Sequence, residues 1–304
     1  MDIYLPIAGQ SVNALLIILL GTIVGVLSGM FGVGGGFLTT PLLIFYGIPP
    51  SVAVASAATQ ITGASVAGVS VHLRRGGADL KMAAVMTVGG LLGSIAGAFF
   101  FRLLQASGQI DLVIGFLYVV LLGWIGGLML WDAMTALGYV KRSEAAEEQQ
   151  LRQTRWLASL PMRWRFSTSG LYVSPLAPLV LGFGTGILTV LLGVGGGFII
   201  VPAMIYLLGM PARIVVGTSL AMMLAVSAGT TFIHSVTTHS VDIVLAGLLL
   251  IGGVFGAQYG AILATRIKPD LLRLALAIII LLVALRMALG LAWRPDEIYS
   301  IAYL

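Results

Sequence analysis

The 304-residue sequence contains no cysteine, which excludes disulfides, thiolate metal sites and cysteine nucleophiles together. Charge is the second scarcity. Only 9% of residues are charged, against roughly a quarter in a soluble domain, so too few charges exist for a water-facing surface and lipid must cover most of the chain. Carboxylates are missing from the apolar runs. Asp79, Asp111, Asp132, Asp242 and Asp270 sit at or near segment ends, and no Asp or Glu lies deep in such a run. That argues against a proton-coupled pump, which keeps an intramembrane acid, and against an intramembrane hydrolase. His72, His234 and His239 have no carboxylate or histidine at ligand spacing, so no metal or other cofactor is expected. Met1 to Gln10 carries one charge, Asp2, and no basic stretch, so the first apolar run reads as a retained span rather than a cleaved signal peptide.

What is present is apolar. Hydrophobic residues make up 59% of the chain, mean hydropathy is +1.07 and there are 40 glycines; small residues let membrane helices approach closely. Apolar segments fall at about 11–30, 35–47, 52–72, 82–104, 110–136, 172–192, 197–208, 213–235, 242–264 and 270–291. Most approach the ~20 residues that span a hydrocarbon core. The second and seventh reach only ~20 Å at about 1.5 Å per residue and read as short or broken helices. The fold class expected is an all-α polytopic membrane protein of the inner membrane.

A hydrophilic stretch at 137–170 separates a first transmembrane repeat, 1–136, from a second, 171–304. It holds Lys141, Arg142, Arg152, Arg155, Arg163 and Arg165 against Glu144, Glu147 and Glu148. Trp156, Trp164 and Phe166 alternate with the arginines, a pattern that suits a helix lying at the headgroups; a plain solvated linker is the other reading. Nucleic acid is not an expected partner, despite a net charge of +5.

The halves resemble each other. Gly25–Phe37 aligns with Gly186–Phe198 with eight of thirteen positions identical. Pro41 then matches Pro202, and after a one-residue insertion Pro49 matches Pro211 and His72 matches His234; Gly93 and Gly97 match Gly256 and Gly260. If every segment crosses, with the linker cytoplasmic and both termini outside, 13 of the 16 basic residues lie inside, satisfying the positive-inside rule. Arg102, Arg286 and Arg294 remain outside. Five crossings invert the second half. The alternative makes the short segments re-entrant, with four spans per half and parallel repeats. The inverted arrangement is preferred, because the parallel one places Arg213, Arg266, Lys268 and Arg273 outside.

The paired Gly-Val-Gly-Gly-Gly-Phe runs carry the strongest functional signal. Gly34, Gly35, Gly36, Gly195, Gly196 and Gly197 can adopt positive φ and expose backbone N–H groups. Each run precedes a short helix whose N-terminus favours an anion, and such freed backbone at membrane depth must be buried in protein or line a cavity. The bland alternative is close helix packing plus a turn. A nucleotide P-loop is excluded, since no Lys-Ser or Lys-Thr follows the glycines. The third segment of each half bears uncharged donors suited to a partly dehydrated oxyanion. Thr59, Gln60, Thr218 and Ser219 are expected near substrate, with interhelical hydrogen bonding as the alternative. His72 and His234 occupy equivalent positions and are candidates for proton or gating roles beside simple packing. Arg102 is a candidate for attracting anions or a snorkelling interfacial residue.

These residues resemble the sulfite exporter TauE/SafE family, through Gly32–Phe37 with Pro41, Gly193–Phe198 with Pro202, and the following Ser/Thr-bearing helices. The similarity covers nearly the whole chain except 137–170, which is longer than is usual. The resemblance implies transport of sulfite or a short organosulfonate such as sulfoacetate. It leaves direction open. The expectation is a secondary transporter, not an enzyme, whose partners are a small anion and the bilayer; a homo-oligomer is compatible with the sequence. The rival readings are an anion channel and a membrane scaffold or sensor.

Overall fold

The computed structural model describes residues 2–31, 34–74, 76–136, 164–166, 168–264 and 269–292. A hairpin of β1 (Asp2–Leu5) and β2 (Gln10–Asn13) precedes α1 (Ala14–Phe31), α2 (Gly36–Phe45), α3 (Pro50–Arg74), α4 (Leu80–Ala106) and α5 (Ile110–Ala136). A second hairpin, β3 (Trp164–Phe166) and β4 (Leu171–Val173), precedes α6 (Leu176–Leu192), α7 (Gly197–Tyr206), α8 (Ala212–Ile233), α9 (Ile243–Ala264) and α10 (Pro269–Ala292). A π-helical turn, His234–Thr238, extends α8. The protein is an all-α polytopic bundle. Its two short antiparallel hairpins carry no signal strong enough to read from sequence.

Glycine ladders set the closest helix contacts. Gly21, Gly25 and Gly29 of α1 face Leu249, Gly253 and Ala257 of α9, where an added Cβ would lie 2.6, 2.4 and 2.1 Å from the respective carbonyl oxygens. The residue numbers rise together, so α1 and α9 run parallel. Gly89 and Gly93 of α4 meet Leu179 and Phe183 of α6 in the same manner, at 2.1 and 2.0 Å. Only small residues permit such approach between membrane helices. α3 packs on α8 and α5 on α10.

The expectation that all ten segments cross is corrected. Among the described residues six helices are long and apolar enough to span: α3, α4, α5, α8, α9 and α10. α2 has 10 residues, about 15 Å of helix. It also returns toward the origin of α1, since the Asn13 N–H donates to Tyr46 Oη at 3.3 Å. Leu5, Val12, Leu43, Ile48, Val52 and Leu245 form one cluster there, joining the first hairpin to the end of α2 and the starts of α3 and α9. At the other end, Met82 and Met86 of α4 cluster with Phe166, Met204, Leu208 and Ile214. Thus α1–α2 and α6–α7 each enter the bundle and return, leaving three long helices per half among the described residues.

Both hairpins are tied to buried aspartates. Asp79 caps α4 through the Met82 N–H at 3.1 Å, and its other oxygen accepts from the Ser169 N–H and hydroxyl at 3.0 and 2.8 Å. Asp242 caps α9 through the Val244 and Leu245 N–H groups, both at 3.1 Å, and accepts from the Ile7 N–H of the first hairpin at 3.1 Å. The expected interfacial helix is corrected at Trp164 and Phe166, which lie in β3 paired with β4. Phe166 is buried beneath the hairpin, and that single inward residue among outward neighbours suits a strand rather than a helical stripe. The stretch 137–163 lies outside the described residues.

Candidate functional site

The two glycine breaks meet in the middle of the bundle. Gly35 caps α2 at φ 66°, ψ −25°, and Gly196 caps α7 at φ 75°, ψ −19°. Gly34 (φ 83°), Gly195 (φ 71°) and Gly193 (φ 67°) are also left-handed, a conformation that non-glycine residues resist. Gly36 and Gly197 are not; each is the first residue of its helix and takes helical dihedrals. Gly36 is constrained by space instead, because a Cβ there would lie 2.7 Å from the Gly193 carbonyl oxygen of the other break.

Phe37 and Phe198, one residue further on, stack with centroids 4.5 Å apart and are fully buried. The two helix N-termini are thereby brought together. The Leu38 and Thr39 N–H groups share the Gly35 carbonyl, and those of Ile199 and Ile200 share the Gly196 carbonyl. The N–H groups of Phe37, Gly197 and Phe198 have no backbone partner among the described residues, as expected in a helix's first turn. Donors and aligned peptide dipoles therefore converge on one buried locus without a charged side chain.

Ile61 of α3 and Met223 of α8 cover this locus. A Cβ on Gly34 would sit 2.1 Å from Met223 Cε, and one on Gly195 would sit 2.9 Å from Ile61 Cδ1. Sequence reasoning did not single out either residue. Extending the match of His72 with His234 back through the third segments places them at equivalent positions, which was the available signal.

Gln60 joins the site through Thr39. The Thr39 hydroxyl donates to Gln60 Oε1 at 2.9 Å, and Gln60 Nε2 donates to the Leu249 carbonyl at 3.4 Å. Thr59 lies on the α3–α8 seam and donates to Thr231 Oγ1 at 3.3 Å, beside the Thr62–Ser227 pair at 3.0 Å. Thr218 is not at the breaks. Its hydroxyl donates to the Ile214 carbonyl and accepts from the Asp79 N–H at 2.9 Å, so it anchors the start of α4. Ser56 does the same for the Asp242 N–H at 3.4 Å. Ser219 donates to the Val216 carbonyl at 2.9 Å. The two aspartates use these hydroxyls as structural partners, which a list of Ser and Thr positions cannot reveal.

The histidines occupy opposite ends of the bundle. His234 is fully buried; its Nε2–H donates to the Val190 carbonyl at 3.1 Å, its Nδ1 lies 3.2 Å from Thr238 Oγ1, and its ring meets Phe101 edge-on. It links the end of α8 to the last turns of α6, just before the second break. His72 packs beside Gly217 near the end of α3. Arg102 lines an open groove of about 590 Å³ with Phe99, Leu103, Ile233 and Thr237, away from the glycine breaks. No cluster of three or more His, Asp or Glu able to hold a metal occurs among the described residues.

Residues 17–287 match the family described as Sulfite exporter TauE/SafE. The chain is 31% identical to the probable membrane transporter protein YjnA of Bacillus subtilis, over 89% of this chain and 98% of that protein. It is 30% identical to a probable membrane transporter protein of Xylella fastidiosa, over 87% of this chain and 91% of that protein. Sulfite exporter TauE/SafE family protein 1 of Arabidopsis thaliana is 32% identical over a shorter stretch, 29% of this chain and 20% of that protein. No solved structure matches.

Proposed function

Because this chain belongs to the sulfite exporter TauE/SafE family and is a multi-pass membrane transporter, not an enzyme, we propose that it carries sulfite or a short organosulfonate by a secondary mechanism across the bacterial cytoplasmic membrane. The observation that carries this reading is the meeting of the α2 and α7 N-termini at Phe37 and Phe198. Helix N-termini bind oxyanions through free N–H groups and the macrodipole, and broken helices with such termini near the midplane recur in transporters. Gly34, Gly35 and Gly36 face the anion from one half and Gly195, Gly196 and Gly197 from the other. Gln60 orients Thr39 at the edge of the site.

The halves, 1–136 and 171–304, are inverted repeats. Three long helices per half is an odd number, and α1 packs parallel to α9 as α6 packs parallel to α4; both facts support inversion. The sidedness of the basic residues is the same whether α1–α2 crosses twice or enters and returns, so the cytoplasmic placement of 137–170 keeps its support from the positive-inside rule. Ile61 and Met223 close the site in this conformation, and rocking of one half against the other exposes it alternately.

Proteoliposome counterflow tests the proposal. Vesicles loaded with unlabelled sulfite should transiently accumulate labelled sulfite above equilibrium, with sulfoacetate competing. Anion conductance without counterflow would identify a channel, and transport of neither anion would overturn the substrate assignment.

A further inference from the structure

We propose that the groove between the start of α4 and the second hairpin is a binding site for the headgroup of an anionic phospholipid. The groove, of about 660 Å³, is lined by Lys81, Val85, Trp164, Arg165, Phe166 and Tyr172 among others. Its two cations carry the argument. Among the described residues, neither Lys81 nor Arg165 forms an ion pair and no carboxylate lines the groove. The nearest acidic residue in sequence, Asp79, is buried and already accepts from Met82, Ser169 N–H and Ser169 Oγ.

Lys81 lies in the first turn of α4, where the helix dipole opposes a cation. A phosphate placed between Lys81 and Arg165 offsets that repulsion and meets the dipole with the favourable sign. The site is also rigidly built. Ser169 fastens the hairpin turn to Asp79, Phe166 is buried under it, and Arg165 is paired across the strands with Tyr172. Trp164 and Tyr172 are 51% and 62% exposed, as amphipathic rings are at a membrane–water boundary.

A lipid, rather than a soluble phosphate, fits the surface below. α4 is a membrane-spanning helix, and Ala84, Val88 and Leu92 are exposed one to three turns beyond Lys81, giving acyl chains an apolar track. The fold does not demand these cations. The first hairpin, at the opposite end, has no Lys or Arg between Asp2 and Asn13. The occupied leaflet is the one on the side of 137–170, cytoplasmic in the orientation proposed above; binding itself does not depend on that orientation.

Native mass spectrometry of the full chain, released from nanodiscs of phosphatidylcholine with phosphatidylglycerol, tests this. Phosphatidylglycerol should be retained in preference to phosphatidylcholine, and the double variant K81Q/R165Q should lower its retention about tenfold or more. K81R/R165K should retain it, as should R102Q in the other groove. Equal retention by wild type and K81Q/R165Q, with both folded by thermal shift, overturns the site. Displacement of the lipid by soluble glycerol phosphate at millimolar concentration overturns the choice of a lipid over a free phosphate.

Discussion

The phenyl rings of Phe37 and Phe198 lie 4.5 Å apart and 6° from parallel, joining the first turn of α2 to the first turn of α7. Each follows its glycine break by one residue, so the stack fixes the separation of the two breaks. Replacing either ring by alanine opens a void at the contact between the halves. Phe198→Ala should cost about 3–5 kcal/mol of stability, read as a fall in detergent unfolding temperature. Leucine at either position should cost less. A double-mutant cycle with both leucines should return a coupling of about 0.5–1.5 kcal/mol; additive losses would show that the rings do not interact.

That stack explains what was legible in the sequence. The Gly-x-Gly-Gly-Gly-Phe pair was visible because it recurs with its short helix, and the ten apolar segments became ten helices. The return of α2 toward the start of α1 was not visible, since apolar length alone cannot distinguish a span from a segment that turns back. The contact between Asn13 and Tyr46 that marks the return joins residues with no pattern between them. Thr218 and Gln60 were equally plausible substrate ligands in sequence, yet of the two only Gln60 reaches a helix that starts at a glycine break, through Thr39. Asp79, known from sequence only as a segment-end acid, claims Thr218 instead.

The orientation of the halves predicts a labelling pattern. His239 and Gln109 are exposed at one end of the bundle and Gly76 at the other. Cysteines at His239 and Gln109 should react with a membrane-impermeant maleimide from the periplasmic side in whole cells. A cysteine at Gly76 should react only after permeabilisation. Equal reactivity of His239→Cys and Gly76→Cys in intact cells would sink the inverted arrangement.

Anchoring by Thr218 predicts a structural rather than a transport phenotype. Thr218→Val leaves the buried Asp79 N–H without its hydroxyl acceptor, which should cost about 1–3 kcal/mol. The counterpart bond from the Asp242 N–H to Ser56 is longer, 3.4 Å against 2.9 Å, so Ser56→Ala should cost less. Both variants should bind sulfite with unchanged affinity once folded. Loss of binding in folded, monodisperse Thr218→Val protein would restore Thr218 as a substrate ligand.

The glycine breaks give the sharpest separation between anion binding and packing. Gly196 is held at φ 75° with an added Cβ 3.1 Å from Thr185 Cβ, and Gly35 at φ 66° with one 3.0 Å from Val24 Cγ1. Valine at either position is β-branched and cannot readily hold that backbone, so the helix N-terminus should reorganise and binding should be abolished. Alanine should be milder, costing more than about 1 kcal/mol because φ is positive, and should weaken sulfite binding in the protein that remains folded. Gly93 supplies the control for packing alone. Its added Cβ would meet the Phe183 carbonyl oxygen at 2.0 Å, in the α4–α6 contact and away from the breaks. Gly93→Ala should therefore lower the unfolding temperature while leaving the dissociation constant of the folded fraction unchanged. The comparison is made by titrating sulfite into monodisperse protein below the unfolding temperature of each variant. If Gly196→Ala and Gly93→Ala behave alike, losing stability and keeping affinity, the glycines serve packing and the backbone does not hold the anion.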